Sequence, residues 1–313
     1  MSDSGRANLR TFVVVNPASA GGSTRRRWDR IARTLSRSIG SFESAFTEAP
    51  RHATSLTREG LKAGYELIVS VGGDGTANEV ACGFFDGQRA IAPDAALGMI
   101  PLGTGCDLPR TMNTGKTLEE ACARMAGRDA RGIDVGHVGF VGQDGKPAQR
   151  VFLNVLSFGC GGAVVDRLRS GTKRVGGRLA FMLTTAKVLF AYRDQPVTVS
   201  IDGGPAQSLA ITNFAICNAR YFGAGMKVAP AAEVDDGLFD VTIWRGFGLK
   251  DFVLQRRSIY DGTHVDAPGT TVLRARRVDA TSAERVLLDV DGEAAGCLPI
   301  RVEILPHALR FKA

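Results

Sequence analysis

Three short apolar runs in this chain each end in a glycine-rich loop. TFVVV (11–15) runs into NPASAGG, LIVSV (67–71) into GGDGT, and AALGMI (95–100) into PLGTG. Helical patterns lie between them. Trp28, Ile31, Leu35 and Ile39 form a stripe at spacings of three and four, on a helix that Ser23 or Thr24 is expected to cap. HATSLTREGLKAG (52–64) is a second helix stopped by Gly64, and TANEVACGFF a third. SFESAFTEA (41–49) adds a strand, and TLEEACARMAG (117–127) a helix with Thr117 as N-cap and Glu120 three residues on. Strands alternating with helices, and nearly all-apolar, require a parallel sheet covered on both faces. Ligands of such sheets bind beyond the carboxyl ends of the strands, so the three loops are expected to converge on one edge.

After residue 130 the pattern changes. GIDVGHVGFV, RVFLNVLSF, QPVTVSIDGG, LAITNFAICN, GLFDVTIWRG, TVLRARRVDA, RVLLDVDGE and IRVEILPHALRFK read as strands separated by turn signals. Helical insertions are expected near 161–192 and 249–257. The fold class is therefore an α/β N-terminal domain (8–130), with a parallel sheet and helices on both faces. A mostly antiparallel β-sandwich domain (131–300) follows it. A chain of 313 residues has room for both.

The six cysteines, at 82, 106, 122, 160, 217 and 297, form no CxxC pair and no metal-finger spacing. Isolated thiols of this kind are expected to be reduced, in the cytoplasm. The opening MSDSGRANLR is polar, without the apolar region of a signal peptide. No apolar stretch reaches the roughly 18 residues of a membrane span; LAFMLTTAKVLFAY (179–192) is too short and contains Lys187. The net charge of +7 suits an anionic partner. A nucleic acid is not expected, because no basic segment carries aromatics at stacking spacing.

The acid inside GGDGT narrows the chemistry. Glycines let a ligand approach the backbone, and the N–H groups opening a helix attract phosphate. A carboxylate there repels phosphate unless a divalent cation bridges them, and Mg²⁺ favours a few carboxylates plus substrate phosphates. Asp74 is thus expected to face a metal at a nucleotide. The loops match neither GxxxxGK[ST] nor GxGxxG.

In combination, VNPASAGG, FTEAPRHA (46–53), VSVGGDGTANEV, IPLGTGCDLPR, IDVG (133–136), NVLSFGCGG, KVAPAAEVDDGLFDV (227–241) and DVDGE (289–293) resemble the diacylglycerol kinase catalytic-domain family, which includes bacterial lipid kinases and sphingosine kinases. The resemblance implies ATP-dependent transfer of the γ-phosphoryl group to a lipid hydroxyl, of diacylglycerol or sphingoid type. It implies nucleotide in an interdomain cleft and a final segment (301–313) that returns to the first domain. Nucleotide contacts would come from Asn16, Pro17, Ala18, Ser19, Ala20 and Thr47. Gly72, Gly73, Asp74, Gly75, Thr76, Ala77, Asn78, Gly103 and Thr104 would add to them. Asp74, Asp107 and Asp134 would form the Mg²⁺ network, and Glu233, Asp236 and Leu238 a structural metal loop. Asp291 and Glu293 supply the candidate proton acceptor with Asp74 as a further catalytic acid, although Asp-Gly is also a hairpin signal. Arg25 and Arg26 are candidates to neutralise phosphate. Cys106, Leu108 and Pro109 depart from the family's Asn, aromatic and Ala.

The family also implies a lipid partner and peripheral association with the inner face of the membrane; a homodimer is compatible. The segment 159–192 carries Lys173, Arg174, Arg178 and Lys187 among Leu, Phe, Met and Val, a pattern that suits either a membrane interface or packing on the sandwich. The runner-up readings are an NAD kinase, which shares a GGDGT-type loop, and a nucleotide-binding regulator that has lost catalysis.

Overall fold

A computed structural model describes residues 9–103, 105–170 and 177–313. The chain divides into two compact units: residues up to Ile133 together with His307–Ala313, and Asp134–Pro306.

The first unit contains β1 (Thr11–Val15), α1 (Ser19–Ile39), β2 (Glu43–Phe46), α2 (His52–Lys62), β3 (Leu67–Gly72), α3 (Asp74–Gly83), the short hairpin β4 (Phe85–Asp86) and β5 (Arg89–Ala90), β6 (Ala96–Pro101), α4 (Asp107–Met112) and α5 (Leu118–Arg124). β2, β1, β3 and β6 lie side by side in that order, all parallel. The alternation along each strand decides which helix it meets. Val13, Val15, Val69 and Val71 pack with Ile31, Leu35 and Ile39 of α1 and with Cys122 of α5. On the other face, Phe12 and Ile68 approach Gly60 of α2 so closely that a Cβ there would lie 3.1 and 3.2 Å from them.

The regular part of α1 starts at Ser23, because Ala20, Gly21 and Gly22 have φ of 50°, 64° and 81°. The loop after β1 thus ends in a left-handed turn. Thr117 caps α5 as its sequence requires, its side chain accepting from Glu120 N at 3.1 Å. The helix α4 carries no apolar periodicity and is not expected from the sequence; Pro109 fits in its first turn, where no intrahelical donor is needed.

The second unit takes up β7 (Arg131–Gly142) from Asp134 onward. It continues with β8 (Pro147–Phe152), β9 (Val155–Gly159), α6 (Cys160–Ser170), α7 (Gly177–Ala191), β10 (Gln195–Ile201), β11 (Gln207–Ile211) and β12 (Asn213–Cys217). β13 (Phe239–Trp244), α8 (Leu249–Leu254), α9 (Arg256–Asp261), β14 (Thr270–Ala275), β15 (Arg277–Thr281), β16 (Leu287–Val290) and β17 (Glu293–Lys312) complete it. One run of antiparallel strands is β14-β13-β12-β9-β16, and β11-β10-β15 is another; β17 pairs with both β16 and β15. Their apolar faces enclose one core that includes Phe152, Phe158, Phe214, Phe239, Val278, Leu288 and Val302.

The return to the first unit begins at His307, later than residue 301. Arg301, Val302 and Glu303 still pair with β15, which holds them in the sandwich. Arg310, Phe311 and Lys312 then pair in parallel with Ala96, Leu97 and Gly98 of β6. Lys312 is 1% exposed, and its Nζ donates to the carbonyls of Ala126, Gly127 and Asp129 at 3.0, 2.9 and 3.1 Å. These carbonyls follow α5, where a cation is favourable.

Lys312→Met keeps the apolar stem but strands three carbonyls. It is expected to lower the stability of the first unit by about 2 kcal/mol, read from its urea midpoint. An unchanged midpoint contradicts this role.

Candidate active site

The three glycine loops of the first unit do meet. Asn16 N donates to Val71 O at 3.0 Å, which joins the end of β1 to the end of β3. Its Nδ2 reaches Thr76 Oγ1 at 3.0 Å, and its Oδ1 accepts from Ala18 N at 3.0 Å. Pro17, Ser19 and Ala20 continue this loop into the left-handed turn. Thr47 N donates to Val15 O at 2.8 Å, so the turn after β2 lies against the same strand end.

The loops after β3 and β6 touch through bare backbone. Leu102 N donates to Gly72 O at 2.7 Å. A Cβ on Gly103 would lie 2.9 Å from Gly73 Cα, and a Cβ on Gly72 would lie 2.5 Å from Thr76 Oγ1. Gly75 follows within the first turn of α3. Thr104 lies outside the described residues. Ala77 and Asn78 are 0% and 1% exposed, on the inner side of α3.

Asp74 stands at the centre of this arrangement. Its Oδ2 accepts from Asp107 N at 3.0 Å and would lie 3.3 Å from a Cβ on Gly105. Its Oδ1 is buried and has no hydrogen-bond partner. Burial raises its pKa above the usual carboxylate value, against the pull of the amides of Asp107, Leu108 and Cys106 and of Arg110. Arg110 pairs with Asp107 at 2.8 Å. A hard cation would satisfy the stranded oxygen, and one carboxylate plus phosphate oxygens is a donor set that Mg²⁺ accepts. Among the described residues no three His, Cys, Asp or Glu side chains are arranged to hold a metal by themselves.

Cys106 has φ of 53°, and its thiol donates to Gly103 O at 3.0 Å. Burial and the Asp74 charge raise its pKa, which disfavours the thiolate. Arg25 stacks on Phe46, 4.6 Å from the ring centroid.

In the second unit, Asp291 and Gly292 have φ of 50° and 82°, and they join β16 to β17 as a tight hairpin. The hairpin and the acid site are the same feature. Asp291 Oδ1 accepts from the amides of Asn154 and Val155 at 3.0 and 2.9 Å, and Oδ2 from Leu153 N at 2.8 Å. Burial nevertheless pushes its pKa up to about 6. Glu293 pairs with Arg150 at 2.6 Å, and its side chain is 43% exposed.

Asp289 is the acid that sequence reasoning missed. It is 5% exposed and hydrogen-bonded to Gly292 N at 2.8 Å. Burial, with the charges of Asp291 and Glu293 nearby, pushes it up to about 8, so it is largely protonated at neutral pH. Alternation along β16 puts it on the face opposite Leu288 and Val290, which point into the sandwich core, so the sequence pattern carries no sign of its burial.

Asp134 belongs to the second unit, where its Oδ2 accepts from Gly237 N at 2.7 Å. Its carbonyl also accepts from Asn218 Nδ2 at 3.0 Å. In the loop before β13, Asp236 is paired with the Arg274 guanidinium and accepts from Leu238 N at 3.0 Å. Glu233 precedes this turn, and its charge helps raise the pKa of buried Asp240, after burial itself.

Comparison with known proteins gives this geometry a family. The diacylglycerol kinase catalytic domain matches residues 10–138, and the YegS C-terminal NAD kinase beta sandwich-like domain matches residues 154–313. A probable lipid kinase YegS-like protein of Pseudomonas aeruginosa is 31% identical over 82% of this chain and 80% of its own. The chain belongs to the diacylglycerol kinase family. It is a phosphotransferase with an alcohol acceptor.

The kinase is also 28% identical to the diacylglycerol kinase of Bacillus subtilis, over 93% of this chain and 91% of that one. A crystal structure of a putative diacylglycerol kinase from Bacillus anthracis superposes with a TM-score of 0.78 at 20% identity, covering 100% of this chain and 98% of that chain. Yeast NADH kinase, at a TM-score of 0.51 and 11% identity over 98% of this chain and 83% of its own, shares the fold.

The raised pKa of Asp291 sets a sign for the pH dependence. A proton acceptor must be ionised, so with Asp291 in that role, rather than Glu293, the rate is expected to fall as pH drops through about 6. Asp291→Asn should lower turnover by about 100-fold and remove that acidic limb. A rate independent of pH between 5 and 7, a window of about one unit either side of the pKa, contradicts the assignment.

Proposed function

We propose that this kinase transfers the γ-phosphoryl group of ATP to the hydroxyl of a membrane lipid of diacylglycerol or sphingoid type. The observation that carries the reading is the stranded Oδ1 of Asp74, buried where the glycine loops meet. Mg²⁺ bound there would neutralise charge on the phosphates. The chain's own residues do the rest. Asn16 and the turn through Ala20 hold the loop open, and Thr47 lies beside the same strand end. The bare backbone of Gly72, Gly73 and Gly103 lets phosphate approach, and the first N–H groups of α3 attract it. The pair Asp291 and Glu293 takes the proton of the lipid hydroxyl, and the protonated Asp289 beneath them adds no competing charge.

No helix among the described residues is long and apolar enough to cross a membrane. The proposal has the kinase meet its lipid from the cytoplasmic face, as a peripheral protein.

The test is to incubate the protein with Mg²⁺, γ-labelled ATP and a total bacterial lipid extract, with and without added NAD. Labelled lipid in the organic phase is expected, and Asp74→Ala should abolish it while the protein stays folded. Labelled NADP without labelled lipid overturns the proposal in favour of an NAD kinase.

A further inference from the structure

α7 is apolar on nearly every side. Val188 and Leu189 on its inner face, with Phe181, pack in one cluster with Phe252 of α8 and Val164 of α6. Its outer face should then be polar, and it is not. Leu179, Leu183 and Phe190 are 56%, 50% and 81% exposed. Spacings of four and seven put them on a single stripe. α8 repeats the arrangement beside it: Phe252 is buried, while Val253 and Leu254 are 64% and 82% exposed. Apolar surface on two adjoining helices marks an interaction site.

The charges nearby indicate its partner. Lys187 lies on the α7 stripe, Lys250 on α8, and Arg256 and Arg257 open α9; all four are exposed. Among the described residues none of them makes an ion pair. The acid of α8, Asp251, is turned to Gly248 N at 2.9 Å, where it caps the helix. A second copy of this chain would be a poor partner, since a two-fold interface brings these cations against their own equivalents. An anionic bilayer answers both features: acyl chains take the apolar side chains, and headgroup phosphates take the cations.

We propose that the outer faces of α7 and α8 form the membrane-docking surface of this kinase, with Leu179, Leu183, Phe190, Val253 and Leu254 entering the interface and Lys187, Lys250, Arg256 and Arg257 on the headgroups. The surface takes its purpose from the lipid-kinase reading, and its test is independent of turnover.

Flotation without ATP compares vesicles of phosphatidylcholine alone with vesicles containing phosphatidylglycerol. The wild-type protein is expected to float with the anionic vesicles. Phe190→Ser/Leu254→Ser should bind them about tenfold more weakly, and Lys250→Glu/Arg256→Glu should lose the preference for phosphatidylglycerol. Phosphorylation of a short-chain, water-soluble lipid should be unchanged in both variants. Wild-type flotation with no labelled lipid product leaves the docking surface standing and removes only the kinase assignment. Undiminished flotation of the apolar variant overturns the surface. So does sedimentation showing a wild-type dimer that Phe190→Ser/Leu254→Ser dissociates without changing flotation.

Discussion

The approach of Gly73 to Gly103 is the constraint on which the candidate site depends. Two strand-end loops meet there through backbone alone, with no room for a side chain on Gly103. That approach brings Asp107 N to Asp74 Oδ2 and leaves the other oxygen of Asp74 buried and unpaired. Leaving a buried carboxylate oxygen without a partner is costly, and the pKa of Asp74 rises accordingly. A protein retains such a group where a ligand supplies what is missing. The parallel sheet below it serves to hold three loops at one edge.

The second unit handles its acids differently. Asp291 is caged by three amides, Glu293 is paired with Arg150, and Asp289 is held near pH 8 by burial. Three carboxyls within one hairpin avoid mutual repulsion by taking three different environments. In the proposed reaction that separation lets one of them accept a proton near neutral pH. The hairpin turn is also what turns Asp291 toward the amides of residues 153–155, so the structural and chemical readings of DVDGE coincide.

Much of this was legible in the sequence. The strand–loop–helix order, the convergence of the loops and the change to antiparallel strands all follow from local periodicity, which a sequence displays. Asp74 stood out because an acid among glycines is chemically odd. What stayed hidden were partners far apart in the chain. Arg150 and Glu293 are 143 residues apart, and Arg274 and Asp236 are 38 apart. Asp236 of the second pair lies in the loop before β13, and its partner could not be read from the sequence. The burial of Asn78, which sits in the glycine motif, was not legible either. The exposed Val253 and Leu254 were invisible for the opposite reason: apolar residues on a short helix read as core. Thr104, Lys173 and Arg174 lie outside the described residues.

The most direct test of the account is titration calorimetry of Mg²⁺–ATP into the wild-type protein and Gly103→Ala. A methyl group at 103 must push the two loops apart, so affinity should fall at least about tenfold with an unchanged far-ultraviolet circular dichroism spectrum. Equal affinity in the two proteins would show that the meeting of the glycine loops does not form the nucleotide site.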